Sequence, residues 1–158
     1  MKNTFKRSGA ALISLVLLLV LAVSAGAASS QNVGVKFWKE RSDKESMANS
    51  GIDLDRTATL TRQANGTYTL TLPVMQVSKL GVTGYLSGLT IGDVTYDGTL
   101  TGDFNKATAV LTIKNLPASV LTGSDVNKSV LVTCNIQMDL QVLGEINTSA
   151  RMCIWNQK

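Results

Sequence analysis

The chain contains no histidine. That removes the most frequent general base near neutral pH and the most frequent metal ligand. Cys134 and Cys153 are the only cysteines, and neither has a histidine to activate it as a nucleophile. There is no Gly-x-Ser-x-Gly elbow for a serine hydrolase. The glycine-rich middle, residues 81–102, matches neither phosphate-loop arrangement, and its glycines read as bends or bulges in strands. Asp93, Asp97 and Asp103 lack the spacing of a calcium loop. The eleven acidic residues are scattered, with no pair set apart for glycoside cleavage. The chain is not expected to be an enzyme; ligand or partner binding is the expectation.

Basic charge is scarce as well, once its location is considered. Lys2, Lys6 and Arg7 form a basic head, followed by a nearly unbroken apolar run from Gly9 through Val23 and the small-residue pattern Ala25-Gly26-Ala27. This is the layout of a secretory signal peptide cleaved after Ala27. An uncleaved membrane anchor is the competing reading, since the run is long enough to span a bilayer. No cysteine follows it to accept a lipid. Removing residues 1–27 takes three of fifteen basic residues and none of the acidic ones, leaving a net charge of +1. A nucleic-acid partner is therefore not expected, because no basic stripe remains. The expectation is residues 28–158 as one domain, secreted or held at the cell surface, touching a membrane only through its N-terminus.

What fills those residues is short runs of Thr, Val, Leu and Ile punctuated by Gly, Asn and Asp, the pattern of antiparallel strands with one wet and one dry face. Strands are predicted over 33–39, 57–62, 67–75, 82–90, 94–101, 107–114, 129–143 and 146–155. Asn65-Gly66 is a strong hairpin signal, Asp103 to Lys106 reads as a turn, and Pro117 ends a strand. About eight strands of this spacing predict an all-β, immunoglobulin-like antiparallel sandwich.

Two cysteines in an exported chain raise the question of a disulfide. A two-residue loop at Leu143-Gly144 would oppose Cys134 to Cys153, but would also set Ile136 against Arg151 and Leu140 against Asn147. A three-residue loop centred on Gly144 instead matches Val142 with Ile146, Met138 with Ala150 and Ile136 with Met152. Apolar matching favours the second register, hence two free thiols, although a bulge would restore the bridge.

The one helix-like interruption is residues 37–49, FWKERSDKESMAN. Ser42 or Asp43 would cap a short helix there, Asp43 and Glu45 would complement its dipole, and Ser46 and Met47 would sit at its centre. A lone helix on a small β domain plugs an open end, where a pocket can form. Ser46-Met47-Ala48-Asn49, with Arg56-Thr57-Ala58-Thr59-Leu60 and Asn65-Gly66-Thr67-Tyr68-Thr69-Leu70-Thr71-Leu72, resembles the opening half of a NEAT (near-iron-transporter) module. That family consists of haem-binding domains of Gram-positive surface proteins. The resemblance extends over roughly residues 35–155, and its specific part is 46–72.

The resemblance implies haem as cofactor and haem or a haem-carrying protein as partner. It implies that Ser46 hydrogen-bonds a propionate and that Met47 packs on the porphyrin, with Lys39 offering a cation. The family's usual Tyr-x-x-x-Tyr in the last strand is missing: Ile146 and Ala150 stand at the two tyrosine positions. Tyr68, Tyr85 and Tyr96 all lie earlier in the chain. Some members of the family bind haem through two methionines, which implies Met47 as one axial ligand and Met152 or Met138 as the other. All three methionines as simple core filler is the competing reading. The alternative function is a haem-free module that docks on a protein or the cell envelope, with Phe37, Trp38 and Trp155 as anchors.

Overall fold

The structure is a computed structural model that describes residues 28–79, 81–139 and 144–158. The signal-peptide reading of residues 1–27 and the Val142–Ile146 match lie outside the described residues.

Alternation of Thr with aliphatic residues works as the period-2 rule requires. On β2 (Ala58–Arg62) and β3 (Tyr68–Pro73), Ala58, Leu60, Leu70 and Leu72 are buried, while Thr59, Thr61, Thr69 and Thr71 stand on the opposite face. The register then stacks apolar on apolar: Leu60 opposes Leu70, Leu70 opposes Ile113, and Leu72 opposes Leu111 of β7 (Val110–Leu116). Phe37, Leu89, Met152 and Ile154 complete a fully buried centre. Burying each large side chain of this kind contributes about 1.5–3 kcal/mol.

The other strands are β1 (Ser29–Lys39), β4 (Val77–Lys79), β5 (Val82–Ile91), β6 (Val94–Thr101), β8 (Val130–Met138) and β9 (Glu145–Asn156). All pairings are antiparallel. Eight strands close into a ring in the order β5-β6-β7-β3-β2-β1-β9-β8, because β5 pairs with β8 as well as with β6. The all-β expectation holds, but the architecture is a closed barrel rather than an open sandwich. The reason lies in β5, which is ten residues long and shifts register between Leu86 and Gly88. Such a bulge bends a strand enough to serve two neighbours and remove a free edge. β4, only three residues long, pairs with the first part of β5 and is too short to show as a pattern in the sequence.

The expected helix also changes form. Lys39 N–H donates to the Lys44 carbonyl (2.8 Å), Ser46 N–H donates to the Phe37 carbonyl (3.0 Å), and Trp38 bridges to Glu45. The charged stretch thus folds back as a turn, pinned by Arg151, which donates to Lys39 O, Ser42 O and Asp43 Oδ1. Glu40 to Glu45 offers no apolar stripe on which a helix could pack. What remains is a single 3-10 turn, Met47–Gly51, whose cap is Ser46: its Oγ accepts from Ala48 N–H at 3.3 Å. Ser42 and Asp43 cap nothing, and no acid lies in the first helical turn.

Asn49 ties this turn to the barrel. Its carboxamide accepts from Phe37 N–H (2.8 Å) and donates to Phe37 O (2.7 Å), replacing a strand neighbour for that residue. Asn49→Ala is expected to lower the unfolding free energy by about 1–3 kcal/mol, because it leaves the Phe37 N–H unsatisfied while the Phe37 carbonyl keeps only its Ser46 partner. Urea denaturation of the two proteins measures this.

Candidate functional site: an apolar slot at the terminal hairpin

The 3-10 turn lies over one end of the barrel beside the β8–β9 hairpin, and between them is a cavity of about 270 Å³. Met47, Ala48 and Gly51 come from the turn, Val77 from β4, Gly84 and Leu86 from β5, Ile136 and Met138 from β8, and Ile146 and Thr148 from β9. Among the described residues that border it, the only ionisable side chains are the thiol of Cys134 and the phenol of Tyr85. Tyr85 is engaged with Phe104, their ring centroids 5.4 Å apart.

Strand parity explains why these residues converge. Cys134, Ile136 and Met138 alternate along β8 and share one face. Ile136 opposes Ile146, and Cys134 opposes Thr148. Glycine at position 84 makes room: a Cβ there would lie 2.8 Å from Met138 Sδ. Met47 is 64% exposed and Ile146 45% exposed, so both stand at the mouth, while Cys134 is fully buried at the floor. The mouth is apolar, and large exposed apolar side chains gathered around a concavity mark binding sites.

The hairpin register decides which sequence-predicted residues reach the slot. The strands run Val130 opposite Met152 and Ile136 opposite Ile146, with Met138 N–H donating to Gly144 O. This connection is longer than the expected three-residue loop, so Met138 does not oppose Ala150; Val132 does. Met47, Met138 and Ile146 are brought together, and Ser46 caps the turn next to Met47. Ala150 and Met152 are not: both are fully buried in the barrel centre, with Met152 between Phe37 and Val130. Lys39 is exposed at the end of β1. Of the aromatic anchors, Phe37 is core, Trp38 is half-buried with the Lys36 ammonium 4.5 Å above its ring, and Trp155 lies across Gly34.

Both cysteines are free and buried. Cys134 opposes Thr148, and Cys153 opposes Lys36 of β1. Cys153 sits on the other face of β9, its Sγ 3.6 Å from Asp125 O. Cys134 is a slot residue that the disulfide question in the sequence does not point to. Its parity with Met138 was the available signal.

These features define a class: a small antiparallel barrel with a slot lined, among the described residues, mostly by apolar side chains, between a capped turn and its last hairpin. No family model and no curated protein matches the chain. Solved structures do. The NEAT5 domain of IsdX2, a B. anthracis hemophore in complex with haem, aligns with a TM-score of 0.53 at 10% identity, covering 84% of this chain and 99% of that one. A point mutant of the same domain, also in complex with haem, aligns equally well over 98% of its length. The fold of this chain is therefore NEAT-like.

Burial pushes the Cys134 thiol up to about 12. Between about pH 8.5, where an unfolded thiol ionises, and pH 12, the unfolded chain binds fewer protons than the folded one. The contribution is complete below that window and is lost as pH rises through it. Stability is expected to fall with pH by up to about 1.4 kcal/mol per unit more steeply than in Cys134→Ala. Parallel urea titrations at pH 8, 9.5 and 10.5 under reducing conditions measure the difference in slope.

Proposed function

We propose that this chain is a haem-binding, non-enzymatic module that works outside the cytoplasmic membrane. In this reading residues 1–27 direct export, and the mature domain takes haem from, or passes it to, a haem-carrying protein. The observation that carries the reading is the slot itself. It lies between the Ser46-capped turn and the β8–β9 hairpin, in a chain whose fold resembles that of haem-complexed domains.

The donor chemistry fits haem on different terms from a tyrosine-ligated site. Ile146 and Ala150 have no atom to offer iron, and Cys134 stays a neutral thiol because burial disfavours its anion. The accessible soft donors on the slot are the thioethers of Met47 and Met138. Thioethers are haem-iron ligands that raise the reduction potential, which is the chemistry a bound haem would supply here. Met152, in the barrel centre, is left out of the ligand set. Ile146 and Ile136 provide apolar surface for a porphyrin face, and the Ser46 hydroxyl, an acceptor to Ala48 N–H, keeps its own proton to donate to a carboxylate.

Titration of hemin into the purified protein is expected to give a shifted, intensified Soret band. Met47→Ala and Met138→Ala should each weaken binding at least about tenfold, roughly 1.4 kcal/mol, whereas Met152→Leu should leave the bound spectrum unchanged. A wild-type protein that does not alter the hemin spectrum overturns the reading. Full binding by both slot variants removes the thioethers from it.

A further inference from the structure

Three sulfurs line the slot: the thioethers of Met47 and Met138 and the thiol of Cys134. They differ in what solvent can reach. Met47 is 64% exposed at the mouth, Met138 is half-buried against Gly84, and Cys134 is fully buried at the floor. Of the other methionines among the described residues, Met75 is 43% exposed but borders neither cavity, and Met152 is enclosed in the barrel centre. The second cleft, of about 220 Å³, opens beside Val35, where β1 has lost β2 beyond Val33. Its rim carries the ion pairs of Lys36 with Glu45 and of Arg56 with Asp53, and its lining holds no sulfur. Sulfur is thus collected at one cavity, and solvent reaches it there chiefly through one side chain.

Peroxides attack cysteine where the thiolate is present and exposed. Here Cys134 and Cys153 are both fully buried, and burial holds Cys134 neutral, so neither competes for the oxidant. A thioether reacts without ionising, so exposure grades the methionines.

We propose that Met47 is an oxidation switch for the slot: a hydroperoxide converts its thioether to a sulfoxide, and the slot then releases its ligand. A sulfur lone pair attacks one peroxide oxygen, an S–O bond forms and the O–O bond breaks. Sulfur loses two electrons, and the departing oxygen takes the proton and leaves as water or an alcohol. The product is polar and chiral where the thioether was apolar. Turned inward, the sulfoxide oxygen gives up water for a mostly apolar lining; turned outward, it draws its sulfur away from the slot. Either way an apolar ligand loses a contact at the mouth, and an iron centre loses a soft donor. Reduction by a reductase for each sulfoxide epimer reverses the change. The loss of haem rests on the haem-binding reading above; the order in which the methionines oxidise does not.

The test treats the haem-free protein with hydrogen peroxide, removes the peroxide with catalase, maps sulfoxides by peptide mass spectrometry, and then titrates with hemin. Met47 and Met75 should gain oxygen at least about tenfold faster than Met138, with Met152 slowest. The hemin affinity of the oxidised protein should fall at least about tenfold, and methionine sulfoxide reductases A and B together should restore it. Met75→Leu should lose affinity on treatment as the wild type does. Met47→Leu, weaker from the outset, should show no further loss. Oxidation of Met138 as fast as Met47, unchanged affinity once Met47 is fully oxidised, or a further loss in Met47→Leu overturns the switch and leaves the haem reading standing. Untreated protein that does not alter the hemin spectrum overturns the haem reading and the switch with it.

Discussion

Closure of the sheet through β5 and β8 is the constraint on which the remaining geometry depends. Without it, β8 and β5 would each present a row of unpaired amides to solvent. With it, the side-chain parity of every strand is locked, because a one-residue slip anywhere in a closed ring would turn an apolar row outward. Leu60, Leu70 and Ile113 form one such row, and Leu86, Ile136 and Ile146 another. The second row continues past the core into the slot. The slot is thus the barrel interior carried beyond its own end, which is why its lining is apolar.

Much of this was legible in the sequence. Thr-aliphatic alternation located eight of the nine strands among the described residues, Asn65-Gly66 located a hairpin, and the even parity of β8 against β9 kept the two cysteines apart although the pairs expected from apolar matching, Met138 with Ala150 and Ile136 with Met152, do not form. The short fourth strand escaped because three residues carry no period. Ring closure escaped because it depends on which strands meet at long range, and β5 meets β8 across a bulge at Leu86–Gly88 that no local pattern announces. The helix was misplaced because capping residues were plentiful: Ser42 and Asp43 have the right chemistry, but Arg151, more than a hundred positions away, recruits them into a turn. Met47, Met138 and Ile146 were legible through resemblance and parity. Met152 was assigned to the slot through a loop length, the feature of a hairpin that parity cannot supply: shifting the register by an even number of residues preserves the faces yet moves each residue along the strand.

The same parity sets the electrostatics of the slot. Ile146 and Thr148 stand at the mouth, Cys134 stands at the floor, and desolvation keeps that thiol protonated. Among the described residues no fixed charge lines the cavity, and the soft donors on it are neutral, polarisable sulfur. Met47, 64% exposed, stands at the entrance of the slot, and Met138 lies against Gly84 further along its wall. Glycine at 84 is accordingly a slot residue in effect: any larger side chain would displace the thioether.

Both concavities arise at the same kind of place. β5 exchanges β4 for β6 between Gly84 and Gly88, and the slot opens beside Gly84; β1 loses β2 after Val33, and the smaller cleft opens beside Val35. A closed barrel filled by its own side chains has no interior space to lend a ligand. In both of these places space becomes available where a strand gains or loses a neighbour and the ladder must part. At β5 the gap is covered by apolar side chains and becomes oily; at β1 it is lined by Lys36, Glu45, Asp53 and Arg56 and becomes polar. The two cavities therefore differ in chemistry because the ladder parts on opposite terms: an apolar face opens in one, and a charged rim in the other.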